Sequence, residues 1–155
     1  ADMEEEIGEN KWSHGSVAKR IYEMCPVVLV GVRSLSKEQA RFIEKEKIPT
    51  YYAHEILNSG NDKWMDDAIS KLSSTVYLTI DLDALDPSIM PSTGTPQPGG
   101  FDWYTLLKFL RKLASAKKVV GFDVMELMPI PTMHAPDFTA AKLVYKLIGE
   151  FYYEK

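Results

Sequence analysis

Residues 75–80, Thr-Val-Tyr-Leu-Thr-Ile, form an apolar run that ends in Asp81-Leu82-Asp83, and this junction constrains the fold more than any other stretch of the chain. β-branched and aromatic residues at this density and length make a strand. Side chains two apart on a strand share a face, so Asp81 and Asp83 emerge side by side where the strand stops. Like charges so placed repel, and each loses hydration. A bound cation relieves both penalties. After Pro87 the chain reaches Pro91-Ser92-Thr93-Gly94-Thr95-Pro96-Gln97-Pro98-Gly99-Gly100. That segment has neither helical nor strand period and reads as a stiff polar loop.

The remaining chain alternates between the two periods. The spacing predicts a helix over 13–24 with Val17, Ile21 and Met24 on one face. Residues 26–31 are valine-rich and read as a parallel strand buried on both faces. Ser36-Lys37-Glu38-Gln39 caps a helix running to about 47, and 49–53 is a strand. A helix over 62–72 turns Trp64 or Met65, Ala68, Ile69 and Leu72 inward. Asp102 caps a helix to 114, and a buried strand over 119–124 ends at Glu126. A proline-rich loop fills 127–136, and a last helix over 137–151 places Leu143, Leu147 and Ile148 in the core. Alternating strands and helices give an α/β fold, a parallel sheet covered by helices on both faces. Such sheets bind ligands at the carboxyl ends of their strands, where Asp81, Asp83 and Glu126 all lie.

With 155 residues, 45% apolar and 26% charged, the chain is long enough to bury a core as one globular unit. A net charge of -4 weighs against nucleic acid as a partner. The single cysteine, Cys25, excludes an internal disulfide and reads as a small buried residue ahead of Pro26. No apolar run approaches a membrane span; the longest covers 27–32.

Asp-x-Asp-x-x-Asp-Pro at 81–87, followed by Gly-Thr-Pro-x-Pro-Gly-Gly at 94–100, resembles the second metal-binding signature of the ureohydrolases, the arginase and agmatinase family. The resemblance implies a three-layer αβα fold around an eight-stranded parallel sheet. It also implies hydrolysis of a guanidino compound with two manganese ions (Mn2+). By the same resemblance Asp81 bridges the two ions and Asp83 binds one. Ala1-Asp2 looks like the end of the family's first motif, Asp-x-His-x-Asp, so Asp2 binds the other ion. Residues 1–155 are then expected to be the C-terminal half of a single ureohydrolase domain, with two histidines and one aspartate of the ligand set upstream. Mixed carboxylate and imidazole ligands suit manganese, zinc or iron; the choice of manganese comes from the resemblance. His14, in Asn10-Lys11-Trp12-Ser13-His14-Gly15, is similar to the family histidine that gives a proton to the leaving amine. Glu126, after Gly121-Phe122-Asp123-Val124-Met125, is similar to the glutamate that pairs with the substrate guanidinium. The family often has Asn-Pro shortly after that glutamate, whereas this chain has Leu127-Met128-Pro129.

Plainer readings compete at each position. Asp81 and Asp83 could cap a turn, Asp2 could be a solvated residue, Glu126 could join a structural ion pair, and His14 could lie on the surface. Asp86 precedes a proline and reads as a turn initiator. His54 and His134 read as structural or surface residues.

The segment between Asp2 and His14 carries Glu4, Glu5, Glu6 and Glu9; lining the site entrance they would attract an amine and repel a carboxylate, and the plainer reading is a solvated face. Residues 10–14 also look more like agmatinases than arginases. The expected reaction is therefore agmatine to putrescine and urea. Arginine, guanidinobutyrate and formiminoglutamate remain open, as does a non-catalytic half-domain. A deacetylase of related fold with one zinc is disfavoured by the loop at 94–100 and by Glu126. The resemblance further implies a cytoplasmic homo-oligomer, trimer or hexamer, acting on a small molecule, with neither nucleic acid nor membrane as partner.

Overall fold

The computed structural model describes residues 1–153. The chain divides into two compact units, Ala1–Trp64 and Met65–Lys155.

The first unit is built on two parallel strands, β1 (Leu29–Val32) and β2 (Thr50–Tyr52), joined through helix α2 (Lys37–Glu46). The Ser36 hydroxyl accepts the Gln39 amide at 3.1 Å, the cap expected from the sequence. Lys47 takes a left-handed backbone, φ 54, to end α2, and Ile48 then donates back to the Ile43 carbonyl. Gly31 has φ 81 and breaks the β1–β2 register between Val30 and Val32. Met3, Ile43 and Ile48 form the buried centre, flanked by Tyr22, Val27, Leu29 and Phe42.

The expected helix over 13–24 is shorter and starts differently. His14–Ser16 is a 3-10 turn, and α1 covers Val17–Tyr22. Val17 and Met24, expected inside, are 45% and 79% exposed, and the buried residue is Ser16. The tight turn rotates the face that a continuous 3.6-residue period would give. Cys25 is exposed, against the expectation of burial. A helix the sequence reading left out, α3 (Ala53–Ser59), follows β2 directly and ends at Gly60 with φ 62. Its buried residues are Ala53 and Ile56.

The second unit pairs β3 (Thr75–Asp81) with β4 (Lys118–Met125) in parallel, from Thr75↔Lys118 to Asp81↔Met125. Helix α4 (Lys63–Ser70) precedes β3 and buries Met65, Ala68 and Ile69. Between the strands runs α5 (Trp103–Ala116), where one Asp102 carboxylate oxygen accepts the amides of Tyr104 and Thr105, both at 2.8 Å. Leu106, Leu110 and Leu113 of α5 are buried, as are Leu143 and Leu147 of α6 (His134–Tyr152). Phe151 of α6 packs on Phe122 of β4 with ring centres 6.3 Å apart.

Three details differ from expectation. Helix α6 begins at His134 and takes in Pro136, because the first helical turn has no use for a proline N–H. Ile148, expected inside, is 51% exposed, and Phe151 is buried instead. Strand β3 alternates: Tyr77 is 61% exposed whereas Ile80 is buried. The α/β class with parallel strands stands.

Candidate active site at the carboxyl ends of two parallel strands

Strand β3 delivers Asp81 into a 3-10 turn, Leu82–Ala84. The Asp81 carboxylate accepts the Asp83 amide at 2.9 Å, which fixes both residues where the strand ends. Leu82 and Leu85 are buried at 0% and 1%, and this anchoring presents Asp81 and Asp83 away from the core. Asp83 accepts the Thr95 hydroxyl at 3.2 Å, so the second carboxylate is held by the loop that follows.

That loop is pinned at its far end by Asp86. Its carboxylate accepts the amides of Ser88 (3.0 Å), Gly99 (2.9 Å) and Gly100 (3.1 Å). Hydrogen bonds from Ser88, side chain first, and then from Gly100 and Gly99 pull the Asp86 carboxyl down to about 2. Asp86 thus ties the turn, as its place before Pro87 predicts. Main-chain bonds join Ala84, Asp86 and Phe101, and Met90 and Phe101 are buried beneath them. Gly100 has to be glycine: a Cβ there would lie 2.5 Å from the Asp86 nitrogen.

Glu126 stands one residue past the Asp81↔Met125 pair, at the end of the neighbouring strand. Its backbone is left-handed, φ 66, a conformation unfavourable to residues with a Cβ. The Met128 amide donates to the Ser92 carbonyl at 2.8 Å and joins the two loops. A Cβ built on Gly94 would lie 3.8 Å from Oε2 of Glu126. The loop therefore carries, in consecutive positions, a neighbour of the Glu126 carboxylate and a donor to Asp83. Neither Thr95 nor Ser92 is singled out by sequence reasoning, although Thr95 stands inside the Gly-Thr-Pro motif that is.

Asp2 and His14 lie in the first unit. Met3 is buried in that unit's core, the Asp2 carbonyl accepts the Lys19 amide at 3.2 Å, and Glu4 donates its amide to Gly15 at 3.0 Å. These bonds hold the Asp2 and His14 segments side by side. Asp2 has φ 53, and His14 is exposed. Of the four glutamates between them, Glu4 accepts the Gln39 side chain at 2.7 Å, and Glu5 pairs with Lys19 and Arg20. Arg20, then Lys19, lowers the Glu5 pKa. Only part of the acidic run thus faces solvent unengaged by these cations; Glu6 and Glu9 are exposed. His54 and His134 are exposed as well.

The arginase family model matches residues 1–149. The chain belongs to the arginase family. It is 38% identical over 150 residues to the N(1)-aminopropylagmatine ureohydrolase of Synechocystis sp., covering 96% of this chain and 48% of that protein. It is 35% identical over 149 residues to the agmatinase of Pyrococcus horikoshii, covering 96% and 51%. The crystal structure of the agmatine ureohydrolase of Thermoplasma volcanium superposes with a TM-score of 0.85 at 26% identity, over 96% of this chain and 51% of that one. The chain spans about half the length of the curated relatives it matches. Its fold is arginase-like.

Carboxylate oxygens at one strand end are the donor chemistry a hard or borderline divalent cation takes. Asp81 and Asp83 fit such an ion as part of a donor set. Among the described residues no three His, Cys, Asp or Glu side chains converge on one point, so they are not a complete set. No helix among the described residues is long and apolar enough to cross a membrane.

Proposed function

We propose that the protein is a ureohydrolase that releases urea from agmatine, with Asp81 and Asp83 as ligands of a manganese pair and Glu126 as the guanidinium-binding residue. The observation that carries this reading is the single loop that hydrogen-bonds Asp83 through Thr95 and lays Gly94 against the Glu126 carboxylate. A cation site and an anionic guanidinium cradle then lie at the ends of two neighbouring strands. For Asp2 as a further ligand and His14 as the proton donor, the support is sequence likeness.

When bound, a pair of divalent cations supplies Lewis acidity that brings the pKa of water toward neutrality. The protein's own residues do the rest. Glu126 accepts two N–H bonds from the planar guanidinium and turns its carbon toward the carboxylate pair. The strap from Met128 to Ser92 fixes that direction before the ligand arrives, so little ordering remains to be done on binding. His14, exposed at the start of its turn, gives a proton to the departing amine.

Agmatine is favoured over arginine by the likeness to the Pyrococcus agmatinase and by residues 10–14, which look more like agmatinases than arginases. A second reading, N(1)-aminopropylagmatine, is supported by the likeness to the Synechocystis protein of that name. The family likeness also supports a homo-oligomer. Urea release from agmatine, N(1)-aminopropylagmatine and arginine, measured with manganese on the protein as its gene encodes it, tests the proposal. One of the first two should be the best substrate. A preference for arginine would remove the substrate reading, and no urea from any of the three would remove the activity.

A further inference from the structure

Three glycines in the loop after β3 answer to different needs. Gly99 has φ 77, so its backbone requires glycine. Gly100 has no room for a Cβ against the backbone of Leu85 and Asp86, 2.5 Å away. Gly94 has neither reason. Its φ lies outside the left-handed region. Apart from its chain neighbours, the one described heavy atom within 4 Å of its Cβ position is Oε2 of Glu126, at 3.8 Å, an ordinary contact distance. A Cβ at 94 would touch no packed core and would stand beside that carboxylate.

We infer that Gly94 is a further substrate-binding position: its missing side chain leaves the space in which a planar guanidinium lies against Glu126. The inference rests on the guanidinium reading of Glu126 given above. The 2.8 Å bond from Met128 to Ser92 ties the backbones of the two loops together beside this contact. Crowding at 94 is therefore not relieved by a loop moving away, and it falls on the ligand. Gly94 faces the part of the ligand that every guanidino compound shares. Its substitution should weaken agmatine and arginine by the same factor, whatever their relative rates.

The test compares wild type, Gly94→Ala, Gly94→Val and Glu126→Gln in the protein as its gene encodes it. Agmatine and arginine serve as probes, with urea release, calorimetric agmatine binding and the melting temperature as readouts. Gly94→Ala should raise KM about tenfold, and Gly94→Val on the order of a hundredfold, the loss carried more by KM than by kcat. Calorimetric affinity should fall in parallel and the melting temperature should hold. If Glu126→Gln weakens agmatine and both Gly94 variants bind it like wild type, the Gly94 inference fails while the reading of Glu126 survives. A lowered melting temperature with unchanged KM would make Gly94 structural and overturn the inference. If wild type releases no urea, or Glu126→Gln binds agmatine like wild type, the functional reading fails first and takes the inference with it.

Discussion

The amide of Met128 donates to the carbonyl of Ser92 at 2.8 Å, binding the loops that leave β3 and β4 to each other two residues beyond Glu126. Between them Glu126 keeps a left-handed backbone, φ 66, that an unconstrained glutamate abandons. Strain held in this way at a strand end sets where a carboxylate points. Glu126→Gln keeps the shape and removes the charge. We expect kcat/KM for agmatine to fall about a thousandfold, the scale of losing one partner of a desolvated charge pair. Steady-state urea release measures it, and a loss below about tenfold would detach Glu126 from the guanidinium.

Asp86 gives a pH dependence whose sign is fixed by its bonds. Its folded pKa is about 2, held down first by the Ser88 side chain and then by backbone amides, against roughly 3.9 in an unfolded chain. A depressed carboxyl stabilises the fold fully above the unfolded value, and the contribution fades as pH falls through the folded one. Asp86→Asn loses the charge at every pH. The melting-temperature gap between wild type and Asp86→Asn should thus be constant above about pH 5 and shrink between about pH 4 and 2. A gap independent of pH over that range would mean that the carboxylate's charge contributes nothing to tying the loop.

The four strands were legible because each is a short apolar run between turn signals, and all four lie within a few residues of their expected places. The caps at Ser36 and Asp102 were legible for the same local reason: a short polar side chain satisfies amides two or three residues ahead. What escaped were consequences of contacts distant in sequence. Nothing in Glu126 announces a positive φ, nor the bond from Met128 to Ser92 that ties its loop to the one after β3. Nothing in Glu4 and Glu5 announces that Gln39, Lys19 and Arg20 engage them, so the sequence offers four charges to a substrate amine where two are already engaged. Helix α3 escaped although Gly60 marks its end, because seven residues directly after a strand give too little period to see.

The close approach at Gly100 makes a stability prediction that sets it apart from Gly94. A methyl group there must displace backbone, with the Leu85 carbonyl carbon and the Asp86 nitrogen both 2.5 Å from the Cβ position. Backbone cannot swing aside as a flexible side chain does, and Asp86 is itself held by its bonds to Ser88 and Gly99. Gly100→Ala should cost about 2 kcal/mol or more. Gly94→Ala, with no packed neighbour, should stay within about 0.5 kcal/mol of wild type. Urea unfolding midpoints of the two variants decide this, and equal midpoints would show that the loop is looser than its hydrogen bonds imply.

Thr95 offers a test of the metal reading that does not depend on turnover. Its hydroxyl donates to Oδ2 of Asp83 at 3.2 Å, so it orients a carboxylate assigned to a cation without touching the cation itself. Partners of this kind set ligand direction and basicity, and removing one typically weakens metal affinity by about 10- to 100-fold. Thr95→Val keeps the volume and loses the donor, whereas Thr95→Ser keeps the donor. Manganese bound at equilibrium, measured by dialysis and elemental analysis on the protein as its gene encodes it, should fall in Thr95→Val by a factor of that order and return toward wild type in Thr95→Ser. Asp83→Asn should lose more than either, because it alters the ligand itself. If all three variants bind manganese as wild type does, Asp83 is not a metal ligand. The hydroxyl contact would then serve only to hold the loop that carries Gly94.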